Sequence, residues 1–234
     1  MNTPYIYDTL RFMCGRFALD SEYKEVKHRF DVITDSLDVE RRYNVAPGQF
    51  MPIIFRKSPN TAVLARWGLI PSWNKEPKVK FSTINARAEN LMTSPVYRKP
   101  FQTQRCLVPT TGFFEWKRIS EKEKVPYYIR LKNTKLFAFA GLYDIWKDAE
   151  GYPLMTFTII TTQPNSLMDT IHNRMPVVLS KIEEDIWLDP EIHDSSTLLK
   201  MMDPYPADDM QAHIVSRMVN SPANDSPDIL KSSF

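Results

Sequence analysis

The stretch of chain that says most about the fold is residues 136–162, which read LFAFAGLYDIWKDAEGYPLMTFTIITT. Two apolar runs, predicted as strands over residues 136–143 and 154–161, flank a polar, turn-rich segment at residues 147–152. The apolar runs are strand-sized, well short of the length that spans a membrane. The polar segment has the composition of a hairpin loop. We therefore predict a β-hairpin here.

Short elements are predicted on both sides of this hairpin. Helices are expected at residues 21–32 with Asp20 or Ser21 as cap, at Lys181–Leu188 with Ser180 as cap, and at residues 195–202. Further strands are expected at residues 51–56, 61–67, 106–109, 127–131 and 176–179. With 18 prolines and 6 glycines, the chain favours many short elements over a few long ones. The pattern predicts a single α+β domain.

Composition places the chain among ordinary globular proteins, since 43% of its 234 residues are hydrophobic and 25% are charged. We expect the domain to cover residues 13–220. Residues 1–12 are interpreted as a leader or a mis-set start, and they lack the pattern of a secretory signal. Residues 221–234 are polar and proline-containing, which predicts a disordered tail. Two cysteines make no disulfide framework, so a reducing, cytoplasmic setting is expected.

The net charge of +2 hides an uneven distribution. Lysines and arginines outnumber acids between residues 66 and 118, where Trp67, Trp73, Phe81 and Trp116 also occur. The cations of this window are Arg66, Lys75, Lys78, Lys80, Arg87, Arg98, Lys99, Arg105, Lys117 and Arg118. Cations for phosphates and aromatic faces for unstacked bases are typical of a single-stranded nucleic-acid groove. A solvated basic face with core tryptophans is the alternative.

A cysteine lies directly behind an internal methionine in Met13-Cys14-Gly15-Arg16-Phe17. If translation begins at Met13, or a leader is cut away, removal of Met13 leaves Cys14 with a free α-amine beside its thiol. Such a 1,2-aminothiol captures an aldehyde, first as an imine and then as a thiazolidine ring. If residues 1–12 persist, Cys14 carries an ordinary amide nitrogen and this chemistry is blocked. A structural role for the Cys-Gly pair is the alternative.

Further segments combine residues too specific for a generic core. They are RYNVAPGQ (42–49), RWGLIPSW (66–73), NARAE (85–89), PTTGFFEW (109–116) and HNRMPV (172–177). Together with Cys14-Gly15-Arg16-Phe17, and in the expected order, these segments resemble the SRAP family, the SOS response-associated peptidases or abasic-site processing proteins. The resemblance runs from Cys14 to at least Leu179.

The resemblance implies an α+β fold of twisted antiparallel β-sheets with a barrel-like core, flanked by short helices. It also implies a positively charged groove for single-stranded DNA and a covalent crosslink between Cys14 and abasic sites. The matching active-site positions are Asn85, Glu115 and His172. The matching phosphate contacts are Arg16 and Arg87, and Arg174 is a further candidate for DNA binding. From their residue type alone, Trp67, Trp73 and Trp116 could stack against bases, and core packing is the alternative for each tryptophan.

The chemistry of each residue suits such a reaction. Glu115 can shuttle protons during imine formation, or instead pair with Lys117 or Arg118. His172 can protonate the sugar ring oxygen and so promote opening to the aldehyde, or be structural. Asn85 can orient the sugar or the thiol, or cap the following helix. Arg87 and Arg16 offer planar forks suited to phosphate.

Two other functions stay open from the sequence: an N-terminal-nucleophile thiol peptidase that processes itself before Cys14, and a non-covalent single-strand-binding module. No cofactor is expected, because two cysteines without clustered histidines make no convincing zinc site and no glycine-rich phosphate loop occurs. The expected partner is single-stranded DNA with abasic sites. We expect a monomer with no membrane association.

Overall fold

The structure is a computed structural model that describes residues 14–57, 59–77 and 83–233. Its strands, in chain order, are β1 (Phe17–Leu19), β2 (Arg42–Val45), β3 (Phe50–Arg56), β4 (Asn60–Trp67), β5 (Asn85–Arg87), β6 (Arg105–Thr110), β7 (Gly112–Arg118), β8 (Lys124–Leu131), β9 (Phe137–Lys147), β10 (Pro153–Thr162), β11 (Met175–Pro176), β12 (Val178–Leu179) and β13 (Met210–Ile214). Its α-helices are α1 (Tyr23–Arg29), α2 (Arg98–Thr103), α3 (Ser166–Asp169), α4 (Lys181–Leu188) and α5 (Ser195–Lys200). Short 3-10 helices are formed by Ala88–Asn90, Ala207–Asp209, Arg217–Asn220 and Pro227–Leu230.

The centre of the domain is a closed ring of five strands. β10 pairs with β4, β4 with β3, β3 with β6, β6 with β9, and β9 with β10 again. The closing pair is the predicted hairpin, whose register runs from Lys147↔Pro153 to Gly141↔Ile159. Gly141 is required in this ring, because a Cβ there would lie 2.9 Å from the Cys106 sulfur. The predicted α+β fold with a barrel-like core and short flanking helices is confirmed.

Aromatic rings fill the interior of this barrel. Trp67 at the end of β4 packs edge-on against Phe17 of β1, with ring centroids 5.1 Å apart, and stacks near Phe157 of β10. Phe17 also contacts Phe139 of β9. Such edge-to-face packing adds to the stabilisation from burial. Because Phe17 belongs to the strand that follows Cys14, the core itself fixes where the Cys14 segment lies.

The second sheet has the order β13-β8-β7-β1-β2. Its member β1 pairs antiparallel with β7, in the register Phe17↔Phe113 and Ala18↔Gly112. The next bond along this ladder runs from the Phe114 N–H to the carbonyl of Arg16. This register carries Cys14 towards Glu115 on the neighbouring strand.

Two details of the fold differ from the sequence prediction. The first helix is shorter than predicted and its cap is Glu22, which exchanges backbone and side-chain hydrogen bonds with Glu25 in a capping box. The sheets are not wholly antiparallel, because β10 lies parallel to both β4 and β5. In contrast, Lys181–Leu188 is helical as predicted, with Ser180 and Glu183 forming its capping box.

The C-terminal segment, predicted to be a disordered tail, is instead folded in residues 221–233. Asp225 accepts the Tyr43 and Asn44 backbone N–H groups and pairs with Arg42, all on β2. Ile229 is fully buried, and its neighbour Leu230 accepts a hydrogen bond from His213 of β13. The prediction fails because the contacts of Asp225 join residues about 180 positions apart, which no local pattern reveals.

Several sequence interpretations fall outside the described residues. They concern residues 1–13, which include the proposed leader and Met13, and the groove candidates Lys78, Lys80 and Phe81. In the described part of the chain, no helix combines the length and the apolar character needed to cross a membrane.

Candidate functional site

Cys14 and Glu115 lie together at the edge of the β1–β7 pair. The Cys14 backbone N–H donates to Glu115 Oε1 at 2.5 Å, and both residues are buried. Cys14 has a φ of 45°, a left-handed conformation that is uncommon outside glycine. The side chain of Glu115 therefore binds the Cys14 nitrogen. The alternative given by the sequence was an ion pair between Glu115 and Lys117 or Arg118.

Burial dominates the electrostatics of this pair. It raises the pKa of the Cys14 thiol well above its usual value, and the neighbouring Glu115 charge and its hydrogen bond to the thiol raise it further. Burial likewise raises the pKa of Glu115, although His172 and the bonds to Cys14 oppose this rise. At neutral pH the thiol is thus protonated, and Glu115 is a better proton acceptor than an exposed carboxylate.

His172 lies in the loop between α3 and β11 and is half-buried. The Arg174 backbone N–H donates to His172 Nδ1 at 3.2 Å. The Arg174 carbonyl lies 3.4 Å from the same nitrogen, so the Arg174 backbone places both a donor and an acceptor beside Nδ1. The His172 charge acts on Glu115, and the Arg174 charge acts on Cys14, so this loop belongs to the same electrostatic site.

Arg174 is buried and holds two parts of the site together. Its guanidinium forms a two-pronged ion pair with Glu89, with N–O distances of 2.5 and 2.8 Å, and donates to the Thr161 carbonyl. Glu89 lies just after β5, and this pairing is the main cause of its lowered pKa. Arg174 therefore joins the His172 loop to the Asn85–Arg87 strand. The sequence analysis gave Glu89 no role, although it ends the NARAE segment.

Asn85 and Arg87 lie on β5, which pairs in parallel with β10 at Ile159 and Thr161. The Asn85 carbonyl accepts the Tyr97 hydroxyl at 3.2 Å, and its side chain is half-buried. The residue that caps the following 3-10 helix is Arg87, so capping by Asn85 does not occur. Arg87 itself is exposed, with its side chain available to solvent.

Arg16 is a buried cation with neutral partners. Its Nη1 donates to Asn44 Oδ1 and to the Val219 carbonyl, each at 2.8 Å. Its Nε and Nη2 have no hydrogen-bond partner among the residues that the structure describes. Burial lowers the Arg16 pKa to about 10, which still leaves it charged at neutral pH. Sequence reasoning singled out the segment around Asn44 but did not connect it with Arg16.

The three candidate tryptophans occupy different environments. Trp67 is 1% exposed and donates its indole N–H to the Ile84 carbonyl, so it belongs to the core and has no face free for a base. Trp73 is 63% exposed. Trp116 is half-buried, with the Arg16 guanidinium 5.9 Å from its ring centroid and its N–H donating to Asn220. Only Trp73 and Trp116 therefore fit a base-stacking role.

No cluster of three or more His, Cys, Asp or Glu residues that could hold a metal ion occurs among the described residues. The second cysteine, Cys106, is buried in the barrel wall as a small apolar residue.

The same residues identify the family. The family model described as "SOS response associated peptidase (SRAP)" matches residues 13–222, from just before the nucleophile candidate to the segment that holds Arg16. The chain belongs to the SRAP family. It is 48% identical over 223 residues to the abasic site processing protein YoqW of Bacillus subtilis, a match that covers 94% of this chain and 100% of that protein. It is 32% identical to the abasic site processing protein HMCES of Xenopus tropicalis, covering 84% of this chain and 67% of that protein.

The fold of this SRAP chain has a solved counterpart. A crystal structure of a Bacteroides thetaiotaomicron protein superposes with a TM-score of 0.86 at 31% identity, covering 94% of this chain and 100% of the other. The two proteins therefore share their fold over nearly the whole of this chain.

Proposed function

We propose that this protein processes abasic sites in single-stranded DNA by forming a covalent thiazolidine crosslink through Cys14. The observation that carries the proposal is the contact between the buried Glu115 carboxylate and the Cys14 nitrogen, at 2.5 Å. A carboxylate that accepts a hydrogen bond from the nitrogen of a cysteine, and whose charge acts on the thiol of the same residue, is placed to move the protons that an aminothiol reaction requires.

The reaction needs a free amine at Cys14, so the peptide bond before Cys14 must be cleaved first. The free amine, with an ordinary pKa of about 8, then attacks the C1′ aldehyde of the ring-opened sugar to form a carbinolamine. Glu115 takes the proton that the amine loses and returns it to the hydroxyl, which leaves as water. The product of this step is an imine.

Ring closure follows on the same carbon. The Cys14 thiol gives its proton to Glu115, the sulfur adds to the imine carbon, and the nitrogen takes up a proton. The sum is aldehyde plus aminothiol giving thiazolidine plus water. Because the ring lacks the electron-withdrawing imine, it no longer acidifies C2′, and β-elimination of the DNA strand is suppressed. The crosslink leaves the strand unbroken.

We assign His172 to the opening of the sugar. An abasic deoxyribose is mainly a closed hemiacetal, and its ring oxygen must gain a proton as the ring opens. The shorter of the two Arg174 backbone contacts, from its N–H to His172 Nδ1 at 3.2 Å, favours the tautomer that has Nε2–H as the donor. Histidine is the side chain that most often transfers protons in this kind of step.

Arg16 supports the DNA part of the proposal. A second buried arginine, Arg105, shows the contrast: its Nε, Nη1 and Nη2 all donate to backbone carbonyls. At Arg16, two residues from Cys14, two of the three guanidinium nitrogens, Nε and Nη2, lack a hydrogen-bond partner among the described residues. A buried cation without a counter-charge is costly, and a phosphate would offset that cost. Because Nε and Nη2 of Arg16 are buried, neighbouring residues must move aside before a phosphate can bind them.

Self-cleavage before Cys14 is a second candidate activity, favoured by the same contact. In the chain with residue 13 attached, the Cys14 thiol can attack the preceding carbonyl, and the peptide nitrogen then leaves with a proton from Glu115. This step frees the Cys14 amine and forms a thioester, and water then hydrolyses the thioester, which releases the preceding segment as a carboxylic acid and restores the thiol. The left-handed Cys14 backbone, strained for a non-glycine residue, favours cleavage.

The test uses a single-stranded oligonucleotide with one abasic site and a matched oligonucleotide with a tetrahydrofuran residue, which has no aldehyde. We expect a product that survives denaturing electrophoresis with the first oligonucleotide only, made by the chain that begins at Cys14. Loss of this product in Cys14→Ala is the required control. A shifted band that denaturation abolishes would instead support the non-covalent binding module.

A further inference from the structure

The C-terminal segment of residues 217–225 contacts the two DNA-contact candidates next to the nucleophile. The Val219 carbonyl accepts a hydrogen bond from Arg16, and Asn220 accepts the indole N–H of Trp116. The segment thus contacts the guanidinium and the ring that packs over it. Its last residues, 223–225, extend beyond the part of the chain that the family model matches.

Asn44 of β2 connects Arg16 to this segment. Its Oδ1 accepts from Arg16, while its Nδ2 lies 2.7 to 3.2 Å from the carbonyls of Val219, Ser221 and Asn224. The side chain is fully buried, so both ends of the amide are used inside the protein. An amide suits this position because it offers an acceptor on one side and donors on the other.

Asp225 fixes the far end of the segment. Its Oδ1 accepts the Tyr43 and Asn44 backbone N–H groups at 2.5 and 2.9 Å, and its Oδ2 pairs with Arg42 Nε at 2.5 Å. Charge-assisted bonds of this kind are stronger than neutral ones. The segment is therefore anchored one residue beyond the last carbonyl that Asn44 binds.

We propose that Asn44 and residues 217–225 are a clasp that positions Arg16 and Trp116 for the DNA strand. The inference rests on the proposed single-strand binding and gives Asn44 and Asp225 a positioning role. The clasp holds Arg16 by one nitrogen, through neutral acceptors, and leaves the other edge of the guanidinium uncompensated. A carboxylate in the place of Asn44 would neutralise Arg16 and remove its attraction for phosphate.

The test is equilibrium binding of the full chain to a single-stranded oligonucleotide with a tetrahydrofuran residue, measured at several salt concentrations. Each phosphate contact in a single strand contributes about 0.7 to the slope of log affinity against log salt. We expect Arg16→Met and Asn44→Asp each to lower the slope by about 0.7 and the low-salt affinity roughly tenfold. In the Arg16→Met background, Asn44→Asp should have no further effect.

Two other variants keep the test decisive if Asn44→Asp does not fold. Asp225→Asn keeps the shape of the side chain but weakens its bonds to β2. It should lower the salt slope when Arg16 is present and have no effect in the Arg16→Met variant. Asp228→Asn is the matched control, because Asp228 lies in the same C-terminal region but pairs only with the exposed Lys231. It should bind as the wild type does.

The outcomes separate the clasp from the DNA-binding proposal. Additive losses of affinity for Arg16→Met and Asn44→Asp, or an unchanged salt slope in Asn44→Asp and Asp225→Asn, would overturn the clasp while leaving single-strand binding intact. If the wild-type chain shows no salt-dependent binding at all, both the DNA-binding proposal and the clasp are overturned. The clasp is supported if Asn44→Asp and Asp225→Asn lower the affinity when Arg16 is present and have no further effect in the Arg16→Met variant.

Discussion

The Glu115 carboxylate lies 2.5 Å from the backbone nitrogen of Cys14, although the two residues are 101 positions apart in the chain. The pairing of β1 with β7 creates this contact, and the aromatic core under Phe17 maintains it. Among the described residues, Glu115 is the only side-chain base that accepts a hydrogen bond from the Cys14 nitrogen. The proposed chemistry depends on this nitrogen. The consequences of the contact can be tested separately.

Replacing Glu115 by Gln should slow crosslinking by roughly 100-fold or more, the usual loss when a general acid–base group is removed. Gln keeps an oxygen for the Cys14 N–H but cannot accept the protons of the amine and the thiol. The measurement is the rate of appearance of the denaturation-resistant product at saturating oligonucleotide. An unchanged rate would show that Glu115 only orients Cys14.

The stability of the same variant relative to the wild type should increase as the pH rises. In the full chain, burial raises the Glu115 pKa above its value in the unfolded state, so the folded state holds the proton more tightly. The stabilising contribution is present below the unfolded pKa of about 4.3 and is lost as the pH rises through the folded pKa. Glu115→Gln should therefore raise the melting temperature more at pH 8 than at pH 4. An equal difference at both pH values would contradict the burial argument.

Replacing Cys14 by Ser in the chain that begins at this residue should separate imine formation from ring closure. The amine still forms the imine, but a hydroxyl closes the ring poorly because oxygen is a weaker nucleophile than sulfur. We expect an adduct that survives denaturation only after borohydride reduction, together with more strand cleavage. Cys106→Ala is the control, because Cys106 is in the barrel wall and its variant should crosslink as the wild type does.

The tryptophans allow a matched comparison of core and surface. Trp67→Ala should cost about 3–5 kcal/mol of unfolding free energy, since it empties a buried ring site beside Phe17 and Phe157. Trp73→Ala should leave the stability nearly unchanged but weaken single-strand binding by about 1–3 kcal/mol, the usual value of a base–aromatic stack. Denaturant melts and equilibrium binding of both variants provide the measurements. Equal binding by Trp73→Ala and the wild type would remove Trp73 from the interface.

The sequence alone predicts the parts of this molecule that local patterns control. The helix Lys181–Leu188 and its Ser180 cap follow from the Ser-x-x-Glu pattern, and the β9–β10 hairpin follows from two apolar runs around a polar loop. The parallel pairing of β5 with β10 was not predictable, because it depends on where a distant strand lies in the closed barrel.

The site divides in the same way. The resemblance to the SRAP family predicted Cys14, Glu115 and His172 as candidates, and in the structure the His172 charge acts on Glu115 and the Glu115 charge acts on Cys14. The supporting residues were missed: Glu89 pairs with Arg174, and Asp225 with β2, over long sequence separations. A polar segment such as 221–233 resembles a disordered tail until its distant partners are known.

The intact mass of the purified protein, alone and after incubation with a single-stranded oligonucleotide carrying one abasic site, tests the central claim most directly. The account predicts a mature mass that begins at Cys14, and an adduct equal to protein plus DNA minus one water. A chain that begins at Cys14 and forms no adduct, or a chain that retains residue 13 and forms one, would contradict the aminothiol mechanism.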